Sequence, residues 1–316
     1  MQVRSLVSTT KLQVNYGNAV ALSNLTMEIP RGSSLAVIGP NGSGKSTLLG
    51  VLAGTIKASS GVATVADRMP ALVLQSTDVD RSLPITVRET VSLARYSTLG
   101  LFRPFTSADR EAIDGAMKRL AIEDLAGLQF HELSGGQRQR VLVAQGIAQD
   151  TGLLLLDEPV NGLDVTSRAI ILDLIDEEIA NGRTVVVTTH YLEEARRYDQ
   201  VLLLDTTAIA VGLPENVLTE EHLRRAYGGR LIRVGNEFIL DSQTHHVDIE
   251  PDAPWLSNSG GVSWLQAIGA SLGCAAPTQL ECVGQAAYID FVYQQSETSI
   301  AVLTTPPASQ DVHPMD

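Results

Sequence analysis

The chain is short of cysteine, of basic residues and of long apolar runs, and each shortage bears on what kind of protein it is. Cys274 and Cys282 are the only cysteines among 316 residues. Two lone thiols in a cytosolic chain read as unpaired core residues, with a disulfide or metal role as the lesser alternative. Lys and Arg number 23 against 36 Asp and Glu, a formal net charge of -13. That balance argues against a nucleic-acid partner, which selects for a basic footprint. No apolar run approaches the ~20 residues needed to cross a bilayer. Leu153 to Leu156, among the longest, suits a short buried strand. The opening MQVRSLVSTTKLQV lacks the apolar stretch of a secretory signal. The expectation is a chain that stays in the cytosol and meets a membrane only through a partner. Internal repeats are also missing.

What is present begins with an uneven charge. From Leu231 to Asp316 there is one basic residue, Arg233, against ten acidic ones. Trp255, Trp264 and both cysteines also fall in that stretch, so composition predicts a boundary near Gly228-Gly229. Before it, short apolar runs alternate with helical patterns. SSLAVIG (33–39), GLLLLDEP (152–159) and TVVVTTH (184–190) read as buried strands ending in polar residues. Helical patterns cover Lys45 to Ala53, Thr166 to Ala180 and Tyr191 to Tyr198. Strands alternating with helices predict a mostly parallel sheet covered on both faces. Ligands of such folds gather at the carboxyl ends of the strands. Residues from about Ser76 to Asp150 read instead as a helical insertion, clearest over 107–122. Ser107 is the expected N-cap there, with Arg110 three residues on and therefore no capping box.

The strand ends carry the chemistry. GPNGSGKST (39–47) fits G-x-x-x-x-G-K-[ST] completely. Its glycines let backbone N–H groups converge on phosphate oxygens, and the helix after it adds a positive end. Lys45 can reach the outer phosphates, and the Ser46 hydroxyl can ligate Mg²⁺. In LLLLDEP, Asp157 closes an apolar strand and can hold Mg²⁺ through water. Glu158 can polarise an attacking water as general base. His190 ends another strand and can hydrogen-bond the γ-phosphate. Loop and carboxylates together imply nucleotide hydrolysis.

A second glycine-rich stretch, LSGGQRQR (133–140), opens another helix. Ser134 is a good N-cap, Gly135 and Gly136 leave the first turn bare, and Val141, Ala144 and Ala148 form an apolar face at i, i+3 and i+7. Such a start is a second anion site. One nucleotide does not need two such sites on one chain, and a two-fold dimer would explain the second, since the second site of each chain can close over phosphates bound to the other. The plain alternative is an ordinary helix begun with glycine.

These motifs, in this order, resemble the ATP-binding subunits of ABC transporters over about residues 5 to 230. The resemblance implies a P-loop NTPase core of ABC type: α/β, with a mostly parallel sheet, an antiparallel β subdomain and a helical insertion. It implies that Tyr16 stacks on adenine, that Gln75 in ALVLQ touches Mg²⁺ and water, and that NGLD (161–164) links the two sites of a dimer. It further implies that ATP meets Gly39, Pro40, Asn41, Gly42, Ser43, Gly44, Lys45, Ser46 and Thr47 of one chain. Ser134, Gly135, Gly136 and Gln137 of the other chain then act in trans. Glu158, His190 and Lys45 are the catalytic set, and Ser46, Gln75 and Asp157 the Mg²⁺ set. The expected partners are integral membrane permease subunits, a second copy of the chain and, through the permease, an extracytoplasmic substrate-binding protein. The expected location is the cytoplasmic face of the cell membrane.

The region 78–111, with LPITVRETV and RYSTLGLFR, is similar to subunits that serve manganese, zinc and iron importers, as is RAYGG (225–229). Iron-chelate or haem import, another ABC substrate, and a soluble ABC ATPase are the alternatives. Ala94 in "ARY" and Leu74 in "VLQ" depart from the commoner glycine and proline. The acidic extension 231–316 lies outside the resemblance. Its HHVDIE holds His245, His246, Asp248 and Glu250, ligand types suited to a transition metal. Its final TTPPASQDVHPMD reads as disordered.

Overall fold

The computed structural model describes residues 5–67, 69–75, 84–99, 104–228, 231–234 and 237–240. Strands β1 (Ser5–Tyr16) and β2 (Ala19–Pro30) form a hairpin, followed by β3 (Ser34–Ile38), α1 (Lys45–Leu52), β4 (Ser60–Val65) and β5 (Ala71–Val73). The helices α2 (Val87–Leu99), α3 (Ser107–Arg119) and α4 (Gly135–Ala148) come next. Then β6 (Leu153–Asp157), α5 (Val165–Ala180), β7 (Thr184–Thr188), α6 (Leu192–Ala195), β8 (Gln200–Asp205) and β9 (Thr207–Gly212) complete the core. Two short helices, α7 (Pro214–Val217) and α8 (Glu220–Tyr227), precede the hairpin β10 (Leu231–Val234) and β11 (Glu237–Leu240). One compact unit runs to Ser242 and therefore includes that last hairpin.

Six strands form the main sheet in the order β5-β6-β7-β3-β8-β9, with the β8–β9 pair antiparallel and the other neighbours parallel. Every residue of β3, β6 and β7 is buried. Their unbroken apolar sequences follow from that position, since a central parallel strand meets covering layers on both faces. Side chains that alternate along each strand divide between two cores. Ala36, Ile38, Leu154, Leu156, Val185 and Val187 face α2, α3, α4 and α5. Leu35, Val37, Leu153, Leu155 and Val186 face α1 and the β1–β2 hairpin. That hairpin belongs to a second, antiparallel sheet of order β2-β1-β4.

The helical insertion is present, but its cap differs from the expected one. Thr106, not Ser107, is the N-cap of α3, and Asp109 at the third position makes a full capping box. The Thr106 hydroxyl accepts from the Asp109 N–H at 3.3 Å, and Asp109 Oδ2 accepts from the Thr106 N–H at 2.9 Å. Both Thr106 and Ser107 carry a capping hydroxyl; the carboxylate three residues after Thr106 decides between them. Arg95 of α2 then donates to Asp109 Oδ1 at 2.8 Å and to the Ala148 carbonyl at the end of α4 at 3.0 Å, tying the insertion together. The insertion meets the core through Glu178 of α5, which is 7% exposed and pairs with Arg119 of α3 and with Arg183.

Residues 76–83 and 100–103, the ligand-type cluster His245, His246, Asp248 and Glu250, both cysteines and the final TTPPASQDVHPMD lie outside the described residues.

Candidate functional site

Strand order assembles the site. Strand β7 lies between β6 and β3, so the segments that leave these three parallel strands emerge side by side at one edge. From β3 leaves the phosphate loop, from β6 the pair Asp157-Glu158, and from β7 the turn holding His190.

The loop is shaped by close packing. Gly44 has φ 99°, and a Cβ there would lie 2.4 Å from the Ala21 carbonyl oxygen, so only glycine fits. That approach presses the loop against β2. A second tie runs from the Ser23 N–H to the Thr206 carbonyl at 2.8 Å and from the Thr206 N–H to the Ser43 carbonyl at 2.9 Å. Tyr16, 54% exposed, sits at the tip of the same hairpin opposite Ala19. The hairpin thus carries an exposed aromatic ring on the strand pair that touches the loop.

Lys45 is buried, and its ammonium donates to the Gly39 carbonyl at 2.9 Å and to the Pro40 carbonyl at 3.2 Å. Burial pulls its pKa below the usual lysine value, while Glu158 and Asp157 oppose that shift. Asn41, Gly42 and Ser46 are exposed, Pro40, Gly44 and Thr47 half-buried, and Gly39 and Ser43 buried.

Parallel register sets Asp157 level with Thr188. The buried Thr188 hydroxyl donates to Asp157 Oδ1 at 2.6 Å and accepts from the Glu158 N–H at 2.8 Å. Glu158 has φ 46°, a left-handed backbone unusual for a residue with a side chain. Strain of this kind costs roughly 1–3 kcal/mol and clusters where a side chain must be aimed. Here the carboxylate pairs through Oε1 with His190 Nε2 and accepts from Asn161 Nδ2 at 3.0 Å through Oε2. Burial would raise the Glu158 pKa, but His190, Lys45 and Asn161 together hold it below the usual glutamate value.

The LSGGQ start is built as the spacing predicts. Ser134 caps α4, accepting from the Gln137 N–H at 3.3 Å while its own N–H donates to Gln137 Oε1 at 2.9 Å. Val141, Ala144 and Ala148 are buried. Gly136 packs on the start of α5: a Cβ there would lie 2.5 Å from Ser167 Oγ and 2.6 Å from Asp164 Oδ2. Gly135 has nothing within 4 Å of the same construction, and Ser134 is exposed. Lys45, Asp157, Glu158 and His190 therefore converge at one edge, whereas Ser134 and Gly135 face outward with α5 as their neighbour. Gln75 is exposed just beyond β5.

A protein-family model described as ABC transporter matches residues 22–161. The manganese transport system ATP-binding protein MntB of Listeria monocytogenes is 38% identical over 226 residues, which cover 69% of this chain and 94% of that one. The chain belongs to the ATP-binding subunits of ABC transporters. The zinc transport system ATP-binding protein TroB of Treponema pallidum is 35% identical over 253 residues, 76% of this chain and 95% of that one. A dimeric post-hydrolysis structure of the ATP-binding cassette MJ0796, bound to ADP and Pi, aligns with a TM-score of 0.57 at 25% identity. That alignment covers 66% of this chain and 98% of that one.

As a member of this family the ABC subunit is a nucleotide-binding ATPase of a transport system. Among its described residues no helix is long and apolar enough to cross a membrane, and no group of three His, Cys, Asp or Glu could hold a metal. Two site residues of the subunit, Thr188 and Asn161, carry no distinct signal in the sequence. Thr188 was visible only as part of a polar strand end, and Asn161 only as part of the 161–164 loop. Their contacts depend on register and backbone direction, which no local pattern encodes.

Proposed function

We propose that two copies of this subunit sandwich ATP and drive the uptake of a transition-metal ion (manganese, zinc or iron) through membrane permease subunits. The observation that carries the catalytic part is the convergence of Lys45, Asp157, Glu158 and His190 on one sheet edge, with Glu158 already in contact with His190.

ATP binds with its phosphates on the Gly39–Thr47 backbone and its base on Tyr16. The Ser46 hydroxyl, the Asp157 carboxylate and the Gln75 amide oxygen are hard oxygen donors, a set that fits Mg²⁺ and not a soft metal. Mg²⁺ held by these residues would supply positive charge against the phosphates. Lys45 must leave the Gly39 and Pro40 carbonyls to reach phosphate oxygens, exchanging neutral acceptors for charged ones. Glu158 orients the attacking water. A carboxylate held below its ordinary pKa is a weak proton acceptor, which suits phosphoryl transfer, where positioning matters more than early deprotonation. His190 holds the γ-phosphate and keeps Glu158 aimed.

The partner copy supplies Ser134, Gly135, Gly136 and Gln137. Gly135 supports this reading, because neither packing nor backbone strain in its own chain requires a glycine there. A bare, exposed helix start is what an incoming phosphate needs. Closure then moves α3, which the buried Glu178 ties to the core, and α2, which the Arg95–Asp109 pair ties to α3.

The metal cargo rests on the manganese and zinc systems named above and on residues 78–111. An extracytoplasmic binding protein delivers the ion to the permease. Reconstitution with the permease tests both levels. Uptake of manganese or zinc that stops with Glu158→Gln supports the whole reading. Uptake of an iron chelate alone would replace the cargo, and unchanged ATP hydrolysis by Glu158→Gln would remove the catalytic assignment.

A further inference from the structure

We propose that Arg168 and Glu194 are positioning residues that transmit the setting of the 161–164 loop to His190. The inference rests on the roles given above to Glu158 and His190.

Glu194 is 4% exposed, on α6 one turn after His190. Its two carboxylate oxygens reach different elements. Oε2 accepts from the Thr189 hydroxyl at 2.6 Å, and Oε1 accepts from Arg168 Nη2 at 2.7 Å. The same Thr189 oxygen accepts from the Tyr191 N–H at 3.1 Å. The residues on either side of His190 are therefore both fixed to one buried carboxylate, directly or through one hydroxyl. Arg168 braces the turn a second time, with its guanidinium 4.6 Å from the centre of the Tyr191 ring.

Arg168 sits in the first turn of α5, and its N–H donates to the Asp164 carbonyl at 3.0 Å. Asp164 closes the loop that Asn161 opens, and Asn161 donates to Glu158. A closed path results: the contacts Glu158–Asn161, Asp164–Arg168, Arg168–Glu194, Glu194–Thr189 and His190–Glu158 are joined by the backbone of the 161–164 loop and by the Thr189-His190 peptide. Gly136 of the LSGGQ helix packs on Asp164 and Ser167, at the point where α5 begins. A partner that displaces this loop shifts Arg168, and the planar guanidinium passes the shift to the His190 turn in a fixed direction. Only Glu194 of this pair is buried, so the desolvation cost falls on its carboxylate, which both Arg168 and Thr189 offset. The pair touches neither Glu158 nor His190, so its effect on the reaction runs through the turn.

The test is steady-state ATP hydrolysis by the full-length chain with MgATP, alongside ATP affinity and melting temperature. Arg168→Gln and Thr189→Val are made in the parent and in a His190→Ala background. Arg168→Gln cuts the bond to Glu194 Oε1 and Thr189→Val, which replaces a hydroxyl by a methyl, the bond to Oε2, so the two variants break different links of the path. Each is expected to lower kcat roughly tenfold to a hundredfold, the scale of a small misplacement, with ATP affinity unchanged. In the His190→Ala background the additional loss disappears, because the turn no longer presents a group to be aimed. Arg168→Lys, which keeps the charge but not the fork, recovers part of the rate. An equal loss in both backgrounds, or parental kcat for both variants, overturns the inference while leaving His190 in place. A His190→Ala protein at the parental rate would remove the reading of His190 and this inference together.

Discussion

Thr188 joins Asp157 to Glu158, its hydroxyl donating a hydrogen bond to the Asp157 carboxylate and accepting one from the Glu158 backbone N–H. The residue is fully buried, so no water replaces either bond. Thr188→Val keeps the shape and leaves one acceptor and one donor unsatisfied, at a cost of about 1–3 kcal/mol. Thr188→Ser should lie close to the parent. Chemical denaturation of the two variants checks the difference, and ATPase activity should fall with Val and persist with Ser.

The two glycines of LSGGQ separate a packing role from a binding role. Gly136→Ala drives a methyl against Ser167 and Asp164 and is expected to destabilise by about 1–3 kcal/mol, as overpacking does. Gly135→Ala meets open space and should change stability by less than about 0.5 kcal/mol. Its effect belongs to the nucleotide bridge: ATP-dependent association should weaken while ATP affinity of the single chain holds. Thermal melts and sedimentation of both variants decide the point.

Glu178 predicts an acid sensitivity. Burial would raise its pKa, but Arg183 and Arg119 outweigh burial and hold it below the usual glutamate value. A depressed carboxylate stabilises the fold fully above its unfolded pKa, and that contribution is lost as pH falls through the folded value. Glu178→Gln should lower stability at neutral pH and flatten the decline on the acid side. Urea midpoints across an acid-to-neutral series measure both. Equal slopes for parent and variant would contradict the assignment.

Glu158 gives a matching prediction in activity. His190, Lys45 and Asn161 overcome burial to keep the carboxylate ionised below the ordinary range near ~4.3. The acid limb of kcat/KM should therefore lie low, and His190→Ala should move it upward as the strongest of those supports is withdrawn. An unmoved limb in that variant would show that another group sets it.

The sequence disclosed more of the site than of its frame. Asp157, Glu158 and His190 are legible because they close or follow apolar runs whose burial on both faces forces those runs into central parallel strands, and Lys45 because it completes the phosphate-loop motif at the start of α1. Strand order was not legible from those runs. That β7 lies between β3 and β6, so that His190 meets Glu158, depends on packing between distant segments. Thr106 and Ser107 carry the same capping hydroxyl, and only the Asp109 carboxylate breaks the tie. Arg168 and Glu194 gave no signal at all, since charges on helices ordinarily read as solvated faces. The antiparallel sheet followed only from the family resemblance, its alternating strands being too irregular, with bulges at Thr9–Leu12 and Leu12–Val14, to announce a partner.

The central claim is that nucleotide joins two copies of the chain. Light scattering of full-length Glu158→Gln with saturating MgATP tests it directly. The account predicts the mass of two chains with ATP and of one chain when Ser134→Arg is added. A single-chain mass for Glu158→Gln with ATP bound would contradict it.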